Sequence, residues 1–197
     1  MSVLRDLMDL LDHESPTLGT GLLVSIDGPA GSGKSTLARA VADAYDERTR
    51  DAGAESPAAH STVLHMDDLF EGWSGLGAVD TQLDTVLRPL ASGRAGHYRR
   101  YDWYEDDWAE TVLVRPCPLL VVEGVGSGAA RFDDLRTLLV WIEAPYDERK
   151  RRGLERDGDA FEPHWEQWAT DEQEVFVRER TRERADVLVD GTVPLGS

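Results

Sequence analysis

The octapeptide GPAGSGKS, Gly28 to Ser35, places three glycines, a lysine and a hydroxyl in the pattern GxxxxGK followed by Ser or Thr. In such a turn successive backbone N–H groups point inward and form a concave anion site. The positive end of a following helix strengthens it. Gly28, Ala30, Gly31, Ser32, Gly33 and Thr36 are therefore candidates to wrap phosphates with their backbone. Lys34 can reach the outer phosphates of a triphosphate, and the Ser35 hydroxyl suits Mg2+. A glycine turn without a ligand would look similar. What separates the two is context, because the anion-binding mechanism requires a strand before the loop and a helix after it.

Other residues could work on whatever the loop holds. Asp67 and Asp68 close the run TVLHMDD, Thr62 to Asp68. At a strand's carboxyl end they could accept a proton from a hydroxyl, cap a helix, or contact Mg2+ through water. Glu123 ends the apolar run PLLVVEGV, where an unpaired carboxylate would be costly to bury. A Mg2+-bound water, a substrate hydroxyl or a salt bridge would each resolve that cost. Arg149, Arg152 and Arg156 recur at helical spacing. They form either a solvated face among acids or a lid that closes on a triphosphate. His65 reads as a satisfied core or cleft histidine rather than a catalytic one.

The elements that must position these groups follow from hydrophobic period. SVLRDLMDLLDH, Ser2 to His13, puts its apolar residues on one helical stripe. GLLVS, Gly21 to Ser25, is a buried strand, and Leu37, Ala38, Val41, Ala42 and Tyr45 mark the helix beyond the loop, which runs to about Asp51. A surface loop follows, from Asp51 to Ser61, rich in Gly, Pro and Ser. DTQLDTVLRPLASG is a helix ended by Gly93; PLLVVEGV and TLLVWIEA are strands covered on both faces. A basic helix starts at Pro145, a long helix spans about Trp165 to Arg184, and ADVLVDG is a last short strand. Strands alternating with helices predict an α/β domain with a mainly parallel five-stranded sheet. The 197 residues suit one such domain, 1–197, with a mobile arginine-rich lid at about 149–162.

Composition narrows the partners. Asp and Glu number 38 against 21 Lys and Arg, a formal net charge of -17, which repels nucleic acid and anionic membrane surfaces. Lys34 is one of only two lysines, the other being Lys150. A lone Cys117 excludes an internal disulfide, and neither a signal peptide nor a membrane span is legible. A cytoplasmic protein is expected, with no nucleic-acid or membrane partner; a homo-oligomer is compatible with these features.

Several segments in order resemble the P-loop kinases of the uridine kinase, phosphoribulokinase and pantothenate kinase group. Beside the glycine loop these are HMDDLF, the segment Tyr101-Asp102-Trp103, Glu123-Gly124, the spacing of Arg149, Arg152, Arg156 and Asp157, and ADVLVDG. The resemblance spans about Leu22 to Gly191 and implies a P-loop fold, ATP with Mg2+ as its partner, and transfer of the γ-phosphate to a hydroxyl. It implies Asp67 as the base, Lys34 and Arg152 as catalytic cations, and Arg149, Arg152 and Arg156 on ATP. It further implies Ser35 and Glu123 at the metal, and Asp67, Asp80, Tyr101 and Asp102 at a small-molecule acceptor. Trp73, Trp103 and Trp108 fall in the segments that should line the acceptor site; Trp165 and Trp168 read as packing. Where uridine kinases carry a His and an Arg toward the pyrimidine, this chain has Asp106 and Trp108, and the family's DHP segment is missing. The phosphate machinery thus carries over better than the acceptor pocket.

The expected activity is that of a small-molecule kinase with a nucleoside as leading acceptor. A nucleoside monophosphate or another hydroxylated metabolite is the alternative acceptor. A nucleotide-binding regulatory ATPase is the reading from a different class; it would show no acceptor-dependent ADP release. The NKxD-type loop usual for GTP recognition does not occur.

Overall fold

The computed structural model describes residues 2–51, 60–77, 79–158 and 161–195. In chain order, α1 (Val3–Leu11) is followed by β1 (Leu22–Asp27) and α2 (Lys34–Asp51). β2 (Thr62–His65) and α3 (Val79–Ala91) precede β3 (Gly96–Asp102) and β4 (Asp107–Val114). Then come β5 (Leu119–Glu123), β6 (Leu138–Glu143), α4 (Tyr146–Asp157), α5 (Trp165–Glu179), α6 (Thr181–Arg184) and β7 (Val187–Asp190).

Five strands form one parallel sheet in the order β2-β5-β1-β6-β7. The side-chain period of two divides its core into two layers. Leu22, Val24 and Ile26 of β1 pack with α1 and α2, whereas Leu23 faces the other layer with Leu120 and Val122 of β5, Trp141 of β6, and Trp165, Trp168 and Phe176 of α5. Burying each such aliphatic side chain contributes roughly 1.5–3 kcal/mol, so this two-sided burial favours the one register that seats both layers. Trp165 and Trp168 are core residues, as expected.

The register also brings the strand ends level. Ile26 pairs with Glu123, and Glu123 pairs with His65. The carboxyl ends of β1, β2 and β5 therefore open onto one crevice, where open α/β sheets gather ligands.

Four differences from the expectations bear on the site. The first helix is Val3–Leu11, shorter than the span from Ser2 to His13. The second strand stops at His65, and Met66–Asp68 form a 3-10 turn that carries Asp67 and Asp68 away from the ladder. The long helix breaks at Arg180, which adopts a left-handed backbone (φ 51°), so α5 ends at Glu179 and α6 is a separate short turn. The fourth is an addition. β3 and β4 form a separate antiparallel hairpin that was not among the expected elements, with a register shift between Arg99 and Tyr101. Gly96 lets this hairpin lie against α3; a Cβ there would stand 2.4 Å from the Val86 carbonyl oxygen. Of the lid expected at about 149–162, residues 159 and 160 lie outside the described residues, as does most of the loop from Asp51 to Ser61.

Candidate active site

The glycine loop joins β1 to α2 as its mechanism requires, with Lys34, Ser35 and Thr36 in the helix's first turn. Its entry is pinned by Asp27, a fully buried carboxylate. Asp27 Oδ1 accepts the N–H groups of Gly28 (2.8 Å) and Gly126 (3.1 Å), and Oδ2 accepts that of Gly128 (2.9 Å). Burial pushes this carboxyl up to about 6, against the pull of those three amides and of Lys34. Gly28 and Gly31 have positive φ, and a Cβ at either would lie 2.0 Å from the Ile142 oxygen or 2.2 Å from the Arg149 oxygen. Neither position can carry a side chain without moving the backbone against it. Ser32 is buried inside the loop and Thr36 is exposed at its rim.

Lys34 is 9% exposed and folds back over the loop, donating to the carbonyl oxygens of Gly28 (2.7 Å) and Pro29 (3.0 Å). Ser35 Oγ donates to Glu123 Oε1 at 2.9 Å, and the same oxygen lies 2.5 Å from His65 Nδ1. Burial alone would raise the Glu123 carboxyl; the His65 bond, the Lys34 charge and the Ser35 hydroxyl outweigh it and hold the group below the usual range. His65 moves in the opposite sense, raised chiefly by the Glu123 hydrogen bond against the effect of its own burial. A hydroxyl beside an ionised carboxylate is a hard-oxygen donor set that fits Mg2+ completed by phosphates and water. Among the described residues no cluster of three or more His, Cys, Asp or Glu could hold a metal by itself.

Asp67 lies in the same crevice, an exposed residue at its mouth whose carboxyl faces the protein groups within. The surrounding protein and then the Glu123 charge push its carboxyl above the ordinary range, with Lys34 and Arg156 pulling it down. Asp68 turns aside and accepts the Tyr98 hydroxyl at 3.2 Å. The hairpin supplies the next wall. Trp103 Nε1 donates to the Asp67 backbone oxygen at 2.9 Å, and Trp73 packs edge-to-face on Trp103 while stacking on His164 and Phe161. Tyr101 donates to Asp106 Oδ1 at 2.6 Å and meets Trp108 edge-to-face. Asp102 accepts the N–H groups of Tyr104 and Glu105 at the hairpin turn. Asp80 is engaged elsewhere, in an ion pair with Arg131 at 2.8 Å.

The lid arginines do not share one role. Arg149 is directed at the glycine loop, donating to the oxygens of Ala144 and Ala30, both at 3.1 Å, and facing Glu172 at 3.3 Å. Arg152 bridges Glu148 (2.7 Å) and the Gly191 oxygen (3.0 Å). Arg156 lies exposed in the last turn of α4, and its charge reaches Asp67.

Two functional neighbours escaped the sequence reading although each left a signal. Asp27 is a charge at the end of a strand that is buried throughout. Glu172 occupies the apolar stripe of α5 between Trp168 and Val175, where a solvated glutamate has no place. His65 was read as satisfied, and the structure names its partner as Glu123.

No family model matches the chain. Among curated proteins it is similar to cytidylate kinases. That of Haloarcula marismortui is 28% identical over 168 residues, covering 84% of this chain and 67% of that protein. That of Pectobacterium carotovorum is 25% identical over 189 residues, covering 84% of each. Among solved structures, one described as a possible uridine kinase from Bacillus stearothermophilus superposes with a TM-score of 0.65 at 21% identity, over 95% of this chain and 97% of that one. Another, from Silicibacter sp. TM1040 and provisionally described as a fructose transport system kinase, gives 0.65 at 19% identity, over 94% and 96%. The fold is that of the P-loop kinases, and the resemblance to the uridine kinase group holds at that level. With a phosphate-binding loop on this fold and proteins named kinases among its relatives, the chain is a phosphotransferase.

Proposed function

We propose that this chain transfers the γ-phosphate of ATP to a hydroxyl group of a small molecule that itself carries no phosphate, with a nucleoside as the leading acceptor. The observation that supports it most is the placing of Asp67. Its carboxylate shares one crevice with Lys34 and Glu123 and adjoins an aromatic wall on the hairpin side. The loop amides and Lys34 hold the triphosphate, and Asp67 orients the acceptor hydroxyl and takes its proton. Ser35 and Glu123 would hold Mg2+, which when bound neutralises charge on the phosphates. His65 keeps Glu123 ionised and aimed. Arg152 and Arg156, on α4, stabilise charge as the lid closes and excludes water.

The relatives' names favour a second reading, in which the acceptor is a nucleoside monophosphate. Binding its phosphate calls for arginine forks. On the hairpin side Arg100 is committed to Glu110 and Asp102; away from it, Arg131 pairs with Asp80 and Asp84, and Arg88 with Asp134. Arg99 donates to the Trp108 oxygen. Asp106 and Trp108 also replace the donors that suit pyrimidine carbonyls, so uridine should serve poorly beside cytidine or an amino- or hydroxyl-bearing metabolite.

The test is a screen of ADP release across nucleosides, sugars, small alcohols and nucleoside monophosphates, read as kcat/KM. A phosphate-free acceptor is expected to lead. Preferential use of cytidylate would replace this reading with the second one, and no acceptor dependence at all would point to a regulatory ATPase. In the same assay Ser35→Ala should chiefly raise the Mg2+ concentration needed for half-maximal rate; an unchanged Mg2+ dependence would remove Ser35 from the metal site.

A further inference from the structure

Ala30 of the glycine loop is held by both of its polar backbone groups. Its N–H donates to Glu172 Oε2 at 2.8 Å, and its carbonyl oxygen accepts from Arg149 Nη1 at 3.1 Å. The same Arg149 nitrogen lies 3.3 Å from Glu172 Oε1, which closes a ring of three contacts between α5, α4 and the loop. Glu172 is 2% exposed. Its burial raises the carboxyl, and Lys34, the Ala30 N–H and Arg149 oppose that rise. One residue on, Gly31 packs directly on the backbone of Arg149, with no room for a Cβ. The contact is thus a fitted junction between loop and lid helix. A buried carboxylate this close to a triphosphate site would repel the ligand if it served only to fill space.

We infer that Glu172 and Arg149 are positioning residues that set the shape of the P-loop for the triphosphate, Glu172 holding the Pro29–Ala30 peptide by its N–H and Arg149 the Ala30–Gly31 peptide by its carbonyl oxygen. The inference rests on the nucleotide-binding role proposed above, and it assigns that role a requirement outside the loop. With the Ala30 N–H taken by Glu172 and the Gly28 N–H by Asp27, phosphate oxygens are left to other amides of the loop, whose direction the held Ala30 helps to set. Because Arg149 sits in the first half of α4, the root of the lid and the loop are joined. Loosening either residue should relax the loop before any contact with the acceptor is lost.

The test is nucleotide affinity by calorimetry on the whole chain, with ADP and with ATP plus Mg2+, alongside KM for ATP and kcat. Glu172→Ala should weaken ADP binding by about tenfold or more, since a buried N–H loses its partner. Glu172→Gln keeps an acceptor oxygen and should recover to within about threefold of wild type. KM for ATP should rise with little change in kcat, a split that general destabilisation would not produce. Arg149→Met should weaken binding similarly, and Arg149→Met with Glu172→Ala should be no worse than either alone, because both free Ala30 and the two side chains also hold each other. If Glu172→Ala does not fold, Arg149→Met alone carries the test, and unchanged nucleotide affinity in it would overturn the inference. Unchanged affinity in Glu172→Ala, or additive losses in the cycle, would overturn the inference and leave the kinase reading standing. A wild-type chain that binds nucleotide but transfers to no acceptor would sink the kinase reading and leave this one; a chain that binds no nucleotide sinks both.

Discussion

Lys34→Ala should yield a folded protein that has lost phosphoryl transfer by about two to three orders of magnitude, the effect of removing one preorganised charge donor from a transition state. The amides of the loop survive this change, so nucleotide should still bind, more weakly. In the present arrangement the lysine amino group satisfies two loop carbonyls, those of Gly28 and Pro29. Outer phosphate oxygens compete for the same amino group as negative charge builds on them, which is why its loss falls on turnover. Losing the two carbonyl contacts costs about 1–3 kcal/mol. For a chain of this size that appears as a fall in melting temperature and leaves a folded core. Stopped assays of ADP formation and a thermal melt separate the two effects. Full turnover in Lys34→Ala with any accepted substrate would remove the lysine from the mechanism.

Asp67→Asn is expected to bind ATP normally and turn over at least about two orders of magnitude more slowly, within the range for losing a general base. The substitution is nearly isosteric, and the Trp103 indole that braces this segment bonds to the Asp67 backbone oxygen, so the hairpin stays in place. A pH profile adds a second readout. The protein around Asp67 and then the neighbouring Glu123 raise its carboxyl above the ordinary carboxylate range. The base works only when ionised, so kcat/KM should rise with pH through that raised value and level off above it. In Asp67→Asn that acid limb should vanish. If Asp68→Asn is the crippled variant instead, the roles of the two acids exchange. The structure gives Asp68 a different task, since its carboxylate accepts the Tyr98 hydroxyl.

Local spacing was enough for the phosphate loop, for the strand and helix on either side of it, and for the alternation that makes the sheet parallel. Each of these depends on residues within a few positions of one another: glycines where φ is positive, apolar runs of strand length, stripes at helical period. Trp165 and Trp168 were legible as core for the same reason. The β3–β4 hairpin was not, because the register shift between Arg99 and Tyr101 interrupts the period of two, and its strands gain their order from packing on α3 and from each other. The break at Arg180 was hidden as well, since nothing in VRERTRE forbids a helix; a left-handed arginine there is imposed by how α5 and α6 must meet the sheet. Above all, partners could not be read. His65 meets Glu123 across 58 positions only because β2 pairs with β5 in one register, and Glu172 reaches Ala30 across 142 only because α5 lies on the face of the sheet behind the loop. A carboxylate on an apolar stripe announces in sequence that it must be paired; which donor pairs it is decided by the tertiary structure, where strand register and helix packing set distances that no local period encodes.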